Sequence, residues 1–336
     1  MLTDMGAWLG RKSSESSCSA RAATLACSPM QVSDIPREGV VVAHYGVAVA
    51  VRFADGGRGR VRVPRKRSVL VGDRVVAEGD TLLRVEPARG VLRRRDSHGR
   101  VRSVAANLDA LGIVLAPRPE SPLGFVERGL VAARASGLEP LIVVNKADLD
   151  GAAELYETVK QGYGETAPVL LVSASSGSGL AGVRSWLESG RRGVFVGTSG
   201  VGKSSLLNAL LPDLALAVGA INDASGLGRH ITSTATLHAL AGGGELIDTP
   251  GFRDFGPVEV SARELAVFFP GFEEPLGQGC HFRDCLHRQE PGCRVLAAVE
   301  SGEVSVQRHG GYIALLAELE AFEGVRPRRL TKRDDY

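Results

Sequence analysis

The chain has 336 residues, of which 44% are hydrophobic and 23% charged, and its formal net charge is +2. These values are ordinary for a globular protein of two or three domains with a buried core. No stretch approaches the roughly 18 consecutive apolar residues of a membrane helix, and residues 1–35 lack the apolar segment of a secretory signal. We expect a cytoplasmic protein without membrane contact. We interpret residues 1–35 as a flexible tail. Whether the native protein carries it is left open, because Met30 is another in-frame methionine at which translation could start.

A small basic all-β domain is predicted for residues 36–102. Short valine-rich runs alternate with glycine-containing turns such as Asp55-Gly56-Gly57, a pattern typical of a small barrel. From Arg37 to Arg102 there are 16 Lys and Arg residues against 7 Asp and Glu residues. Such an excess favours an anionic partner. We therefore expect an RNA-binding barrel of the oligonucleotide-binding (OB) type, with a solvated basic surface as the alternative.

An α/β sheet is predicted for the central part, residues 103–265. Apolar runs at residues 111–115, 141–144, 169–172 and 193–196 are typical of buried parallel strands. Residues 126–135 and 152–161 fit helices between those strands, so helices should cover both faces.

A phosphate-binding loop is predicted directly after the run at residues 193–196. Its residues match G-x-x-x-x-G-K-[ST] and are Gly197, Thr198, Ser199, Gly200, Val201, Gly202, Lys203 and Ser204, with Ser205 opening a helix. Glycines let backbone N–H groups converge on phosphate oxygens at the helix N-terminus. Lys203 can reach the β- and γ-phosphates, and the Ser204 hydroxyl can bind Mg²⁺.

Two further motifs indicate that the base is guanine. Asn145-Lys146-Ala147-Asp148 follows one predicted strand, and Ser173-Ala174 follows another. The Asp148 carboxylate can accept two hydrogen bonds that guanine donates and adenine does not, and such sites discriminate by about 10⁴-fold or more. The Lys146 stem can cover the base plane, while Ser173 and Ala174 supply small residues and backbone N–H groups near guanine O6.

The motifs occur in rotated order along the chain. Asp248-Thr249-Pro250-Gly251 comes last; Asp248 can hold Mg²⁺ through a water, and the Gly251 N–H can sense the γ-phosphate. The guanine motifs precede the phosphate loop, whereas they follow it in an ordinary GTPase. Strand positions in a sheet need not follow chain order, so we predict a circularly permuted GTPase that binds GTP and GDP with Mg²⁺.

From about residue 36 to about residue 325 the sequence resembles a bacterial family of circularly permuted GTPases called ribosome small-subunit-dependent GTPase A (RsgA). The resemblance includes the basic barrel, every GTPase motif, and Ala106-Asn107-Leu108-Asp109. It implies a permuted P-loop GTPase domain between an N-terminal OB-type barrel and a C-terminal helical zinc-binding domain. It also implies late maturation of the 30S ribosomal subunit, contact with its 16S rRNA, and hydrolysis that the subunit stimulates.

The group that positions the attacking water does not follow from the usual motif. An ordinary GTPase can orient the attacking water with a Gln after the D-x-x-G glycine, but here that residue is Phe252. By position, the resemblance assigns Mg²⁺ and γ-phosphate contact to Thr232 and water positioning to His230. The family commonly has Thr where Ile231 stands, so it stays open which hydroxyl binds the metal. It also stays open whether His230 or a ribosomal group positions the water.

A metal site is predicted in the C-terminal part, residues 266–336, which also holds helices and a basic tail. Cys280, Cys285, His287 and Cys293 form C-x4-C-x-H-x5-C, a plausible Cys₃His set for one structural zinc. The chain has five cysteines, of which Cys18 and Cys27 lie in the tail and three lie in this cluster. An odd number, clustered around histidine in a cytoplasmic chain, favours metal over disulfides. Spacing alone leaves His281 as a competing ligand, and the resemblance favours His287.

Three functions remain in competition at this point. The first is a GTP-driven assembly factor, expected to be a monomer, that leaves the 30S subunit when GTP is hydrolysed. The second is an RNA-binding chaperone module in which GTP is only regulatory. The third is a GTPase acting on another RNA or on a membrane.

Overall fold

The computed structural model describes residues 35–95, 100–188, 190–212, 235–249 and 256–324. Its amino-terminal part is a barrel of five strands, β1 (Arg37–His44), β2 (Ala48–Phe53), β3 (Arg58–Arg62), β4 (Arg74–Glu78) and β5 (Thr81–Val85). Strand β1 pairs with both β2 and β4, and a parallel β3–β5 pair completes the ring. Alternating valines such as Val49, Val51 and Val61 fill its interior. The predicted OB-type barrel is confirmed.

A basic hairpin follows the barrel. Its strands, β6 (Leu92–Arg95) and β7 (Val101–Ala105), pair antiparallel. Arg93 forms an ion pair with Glu259, and the Arg95 guanidinium lies 4.5 Å from the ring centroid of Phe322. The hairpin therefore contacts Glu259 and the C-terminal part of the chain. Strand β7 crosses the boundary that the sequence suggested between residues 102 and 103.

The central domain is a six-stranded sheet of β8 (Ala110–Leu115), β9 (Glu139–Val144), β10 (Val169–Leu171), β11 (Arg192–Val196), β12 (Thr236–Ala239) and β13 (Glu245–Asp248). The spatial order is β10-β9-β8-β11-β13-β12, and each pair is parallel except β12–β13. Strands β8 and β11 are buried at every residue, as expected when helices cover both faces.

Four helices provide that cover. Helices α1 (Phe125–Ala135) and α2 (Ala152–Tyr163) pack on one face through Leu130 and Val159. Helices α3 (Leu180–Glu188) and α4 (Lys203–Leu210) pack on the other face through Leu187 and Leu206. The predicted α/β sheet with helices on both faces is confirmed.

The C-terminal part is helical and packs against α1. It comprises α5 (Leu265–Phe268), α6 (Glu273–Gly277), α7 (Arg294–Ser301) and α8 (Val306–Gly324). Its core is aromatic, since the rings of Phe269, Phe272 and Tyr312 have centroids 4.8–5.1 Å apart. A bidentate pair between Arg128 of α1 and Glu318 of α8 fixes this part to the sheet domain. Within the described residues, none of the helices has the length and apolar character needed to span a membrane.

A partly buried ion cluster joins the barrel to the sheet. Glu245, at the start of β13, pairs with Arg52 of the barrel and with Arg192 at the start of β11. Burial alone would raise the pKa of Glu245, but the two guanidinium groups outweigh it and the net shift is downward. Arg192 also donates to the Gly72 carbonyl at 2.7 Å. At Gly72 φ is +95°, and an added Cβ would lie 2.1 Å from the Ala106 oxygen, so the close approach requires glycine.

Candidate functional site

Four predicted motifs meet at one edge of the sheet. Asn145 follows β9, Ser173 follows β10, Gly197 follows β11, and Asp248 ends β13. Because these strands are mutually parallel, their carboxyl ends lie along the same edge. In open α/β sheets this edge is where ligands bind. The fold thus brings together the guanine, phosphate and magnesium motifs that are dispersed over about a hundred residues of chain.

The phosphate loop adopts a conformation that glycine permits. Gly200 and Gly202 have φ of +86° and +96°, and a Cβ on Gly197 would lie 2.7 Å from the Val114 oxygen. Lys203, the first residue of α4, donates from Nζ to the Gly197 and Thr198 carbonyls at 2.7 and 3.0 Å. The loop therefore curls around an ammonium group at a helix N-terminus, an arrangement suited to phosphate.

The remaining predicted residues of this loop have different exposures. Ser199 and Ser204 are exposed, Ser205 is half-buried, and Val201 is buried. Among the residues that the structure describes, the buried Thr198 hydroxyl has no hydrogen-bond partner. An unsatisfied buried hydroxyl costs about 1–3 kcal/mol, and a bound phosphate oxygen could satisfy it.

The Asn145 side chain links the guanine and phosphate motifs. It is only 1% exposed; its Nδ2 donates to the Val201 carbonyl at 2.9 Å, and its Oδ1 accepts from the Ala174 N–H at 3.1 Å. A Cβ on Gly202 would lie 2.4 Å from the same Nδ2. This residue therefore orders three loops and need not touch the base itself.

Asp148 is held in its ionised form by hydroxyl donors. The Ser173 hydroxyl donates to Oδ1, and with further help from Ser175 it lowers the pKa of Asp148 below the ordinary value. An ionised carboxylate only accepts hydrogen bonds. That property matches the two donors on the Watson–Crick edge of guanine.

Lys146 is presented by a strained backbone. Its φ is +65°, a region that costs a non-glycine residue about 1–3 kcal/mol and often marks a functional site. Its Nζ donates to the Arg118 carbonyl at 2.7 Å, and Pro119 lies beside Gly200 of the phosphate loop. The segment after β8 is therefore a wall of the site that the motifs did not reveal. The sequence did offer one signal for this wall, since the predicted strand β8 ends at the same edge of the sheet as the motifs.

Asp248 lies within the electrostatic reach of the phosphate loop. Burial raises its pKa, while the charge of Lys203 and the Thr249 N–H oppose that shift. A divalent cation would favour the ionised form further, so the residue fits a magnesium-associated role. Three other predicted residues, His230, Thr232 and Gly251, lie outside the described residues, as does Phe252.

The C-terminal cysteines and one histidine form a compact donor cluster. The ligand atoms of Cys280, Cys285, His287 and Cys293 all lie within 4.8 Å of one another. His287 Nδ1 is 3.6 Å from Cys280 Sγ and 3.3 Å from Cys293 Sγ. Tetrahedral zinc with ordinary bond lengths would place sulfur and nitrogen about 3.5 Å apart. These four residues could hold a metal ion, and His281 is not among them.

The surroundings of the cluster support a cation. Burial, together with the neighbouring thiols, raises the pKa of the Cys285 thiol to about 12, so a bound cation would be required to keep it as a thiolate. The Arg294 and Leu296 N–H groups point at Cys280 and Cys293 Sγ. The His287 carbonyl accepts from His309 Nε2 at 2.8 Å, which fixes the backbone that carries the ligand.

Fold and site together define a P-loop GTPase with permuted motif order. The family model described as RsgA GTPase matches residues 85–257. A Pseudomonas aeruginosa protein called small ribosomal subunit biogenesis GTPase RsgA is 40% identical, over 89% of this chain and 91% of that protein. A relative of the same name from Azotobacter vinelandii is 41% identical, over 84% and 86%.

Two solved structures agree with these relatives. YjeQ from Thermotoga maritima has a TM-score of 0.69 and 29% identity, covering 85% of this chain and 99% of that one. YloQ, described as a circularly permuted GTPase, has a TM-score of 0.66 and 26% identity, covering 88% and 98%. The chain belongs to the RsgA GTPase family, and the predicted GTPase assignment is confirmed.

The guanine contact can be tested with Asp148→Asn. An amide places an N–H donor where guanine needs an acceptor, so GTP and GDP affinity should fall by at least about 100-fold. Xanthine carries a carbonyl in place of the guanine amine, so the variant should gain affinity for xanthosine diphosphate. Isothermal titration with both nucleotides measures the exchange.

Asp150→Asn is the matched control, because Asp150 is exposed and lies two residues beyond the motif. It should bind GDP as the unaltered protein does. Equal affinity of the Asp148→Asn protein for GDP would contradict the assigned contact.

Proposed function

We propose that this GTPase acts as a late-stage assembly factor of the 30S ribosomal subunit and is released when it hydrolyses GTP. The observation that carries the proposal is the convergence of the phosphate, guanine and magnesium motifs at one sheet edge, cross-linked by buried Asn145. The curated relatives are called small ribosomal subunit biogenesis GTPases. A cytoplasmic location and a monomeric state belong to the same proposal.

The nucleotide contacts that we propose follow the motif positions. GTP would be bound by Asn145, Lys146, Asp148, Ser173, Ala174, residues 197–205 and Gly251. Mg²⁺ would be held by Ser204, Thr232 and Asp248, and would neutralise charge that develops on the phosphates. Asn145 would act by positioning loops, since its amide is already engaged by Val201 and Ala174.

Water activation is the step for which the chain needs outside help. Phe252 offers no hydrogen bond to water, so we assign this role to His230. We propose that docking on the subunit completes its placement. Because hydrolysis would be slow without this docking, the factor would stay in its GTP-bound form until it is correctly docked on the 30S subunit.

The barrel supplies the RNA-binding surface in this proposal. Arg58 and Arg60 project from one side of β3 and are both exposed. Basic side chains on an OB-type barrel suit the phosphate backbone of RNA, and here the RNA would be 16S rRNA. The domain limits that we propose are 36–102, 103–265 and 266–336, with β7 crossing the first.

We further propose that the metal is zinc and that its role is structural. Three thiolates and an imidazole are the ligands that zinc prefers, and four protein ligands leave no open position for chemistry. The cluster also borders the aromatic core, since Phe272 and His287 have ring centroids 6.2 Å apart. Metal binding would therefore stabilise the whole helical part.

An RNA-binding chaperone with merely regulatory GTP is the competing function. The complete magnesium and phosphate motifs argue against it, because a regulatory site needs no hydrolytic machinery. Binding of 30S subunits in the presence of GTP, GDP and a non-hydrolysable analogue separates the two. Identical affinities would favour the chaperone.

The decisive measurement is GTP turnover with and without purified 30S subunits. We expect slow turnover alone and an increase of at least about tenfold with 30S, because the partner must help orient the water. Purified 50S subunits serve as the control and should leave the rate unchanged. Equal turnover with 30S and without it would overturn the proposed function.

His230→Ala tests the catalytic assignment. Most of the 30S-stimulated rate should disappear, by about 10²-fold or more for a lost proton or water contact, while GTP affinity stays nearly intact. His230→Gln retains hydrogen-bonding capacity and should recover part of the rate. An unchanged stimulated kcat in His230→Ala would show that another group positions the water.

Metal analysis tests the zinc assignment. Purified protein should contain one zinc per chain, and Cys285→Ser should lower both zinc content and the melting temperature, because metal binding contributes directly to folding. Cys27→Ser, which lies far from the cluster in sequence, is the control. A metal-free protein with an unchanged melting temperature would rule out a structural zinc.

A further inference from the structure

A groove of about 630 Å³ lies where strand β1 of the barrel pairs with strand β12 of the sheet. Strands β1 to β3 form one side, β12 forms another, and the end of α4 closes it. Its lining includes Tyr45, Arg52, Arg58, Arg184, Leu211 and His238. The volume is that of pockets which enclose small ligands, so the groove can take a nucleotide-sized group.

The charge of the groove is positive. Three arginines line it, and among the residues that the structure describes no acidic side chain does. Arg52 is paired with Glu245, but that single carboxylate also serves Arg192, so the cluster keeps a net positive charge. Arg184 donates to the Ala209 and Leu210 carbonyls at 2.9 and 3.0 Å, which are neutral groups.

Arg58 is the lining residue best placed to meet an anion. It is exposed, and among the residues that the structure describes it has no ion-pair partner. It lies directly across from Arg52 in the β2–β3 pairing, so two guanidinium groups share one wall. Such a wall is complementary to phosphate groups.

The mouth of the groove carries an aromatic platform. Tyr45, in the turn between β1 and β2, is 54% exposed, and the Arg60 guanidinium lies 5.6 Å from its ring centroid. Apolar groups of Leu210, Leu211 and Leu237 line the interior. A basic groove with an exposed aromatic ring is the arrangement by which proteins bind single-stranded nucleic acid.

We propose that this groove binds a segment of single-stranded RNA, with backbone phosphates at Arg58 and Arg52 and a base stacked on Tyr45. The inference rests on the proposed ribosomal function and assigns its RNA contact to one place. It also puts the RNA against β12, where Thr236 pairs with Asp248 of the magnesium motif. RNA in the groove would thus lie next to the strand pair that carries the hydrolytic site.

The test is fluorescence anisotropy of a labelled, unstructured RNA of about 12 nucleotides, within the site size of one OB-type barrel. Arg58→Ala should weaken binding several-fold and reduce the salt dependence by about 0.7 in log–log slope, the value for one lost phosphate contact on a single strand. Arg58→Lys should keep the slope. Arg62→Ala is the matched control, because Arg62 is on the same strand but outside the groove and already pairs with Asp80.

Substitutions of Tyr45 test the proposed base stacking, a contact that involves no charge. Tyr45→Leu should weaken binding at least about fivefold, the lower bound for one stacked base, while Tyr45→Phe should bind nearly as the unaltered protein. A duplex of the same length should bind more weakly than the single strand. Equal binding of the duplex would contradict the inference.

The remaining outcomes separate the groove from the proposed function. Equal losses in Arg58→Ala and Arg62→Ala would assign RNA binding to the general basic surface and overturn the groove. So would unaltered affinity in Arg58→Ala, even if 30S subunits still stimulate hydrolysis. Absence of both RNA binding and 30S stimulation in the unaltered protein would overturn the two together.

Discussion

The buried amide of Asn145 is the interaction on which the nucleotide site depends. One side chain donates to the phosphate loop at Val201 and accepts from the guanine loop at Ala174. Neither loop has regular structure of its own, so each depends on the other for its conformation. Because the amide is buried and satisfied on both sides, losing either partner would leave a polar group unpaired. The proposed phosphate and guanine contacts would therefore depend on each other.

Permutation changes which parts of the chain can act on this site. The position of the site is determined by the spatial order of the parallel strands. It does not depend on which strand comes first along the chain. The barrel, however, is attached at the opposite edge, where Arg192 and Glu245 begin β11 and β13. Those two strands end in the phosphate loop and in Asp248. Strands β11 and β13 thus connect these two contacts with the barrel to the predicted phosphate loop and to Asp248.

The sequence was informative wherever local chemistry determines structure. Motifs at strand ends and valine alternation predicted the sheet and the barrel. Cysteine spacing predicted a donor cluster but left His281 and His287 as alternatives, and the family resemblance favoured His287. Strand β6 was missed, since its three successive arginines show no apolar alternation and its position depends on Glu259 and Phe322 far along the chain. The Arg118–Pro119 wall and the groove at Arg58 were missed for the same reason. Each exists only through contacts between segments distant in sequence.

The C-terminal part is connected to the predicted guanine loop through a separate set of contacts. Helix α1, which holds Arg128 against Glu318 of α8, begins just after the segment whose Arg118 carbonyl binds Lys146. The helical part is therefore connected to the predicted guanine loop through α1, and the barrel is connected to β11 and β13. Coupling between sites is reciprocal in binding free energy. A partner that engages both parts would bias the nucleotide site from two sides, and bound nucleotide would in turn change how tightly that partner is held.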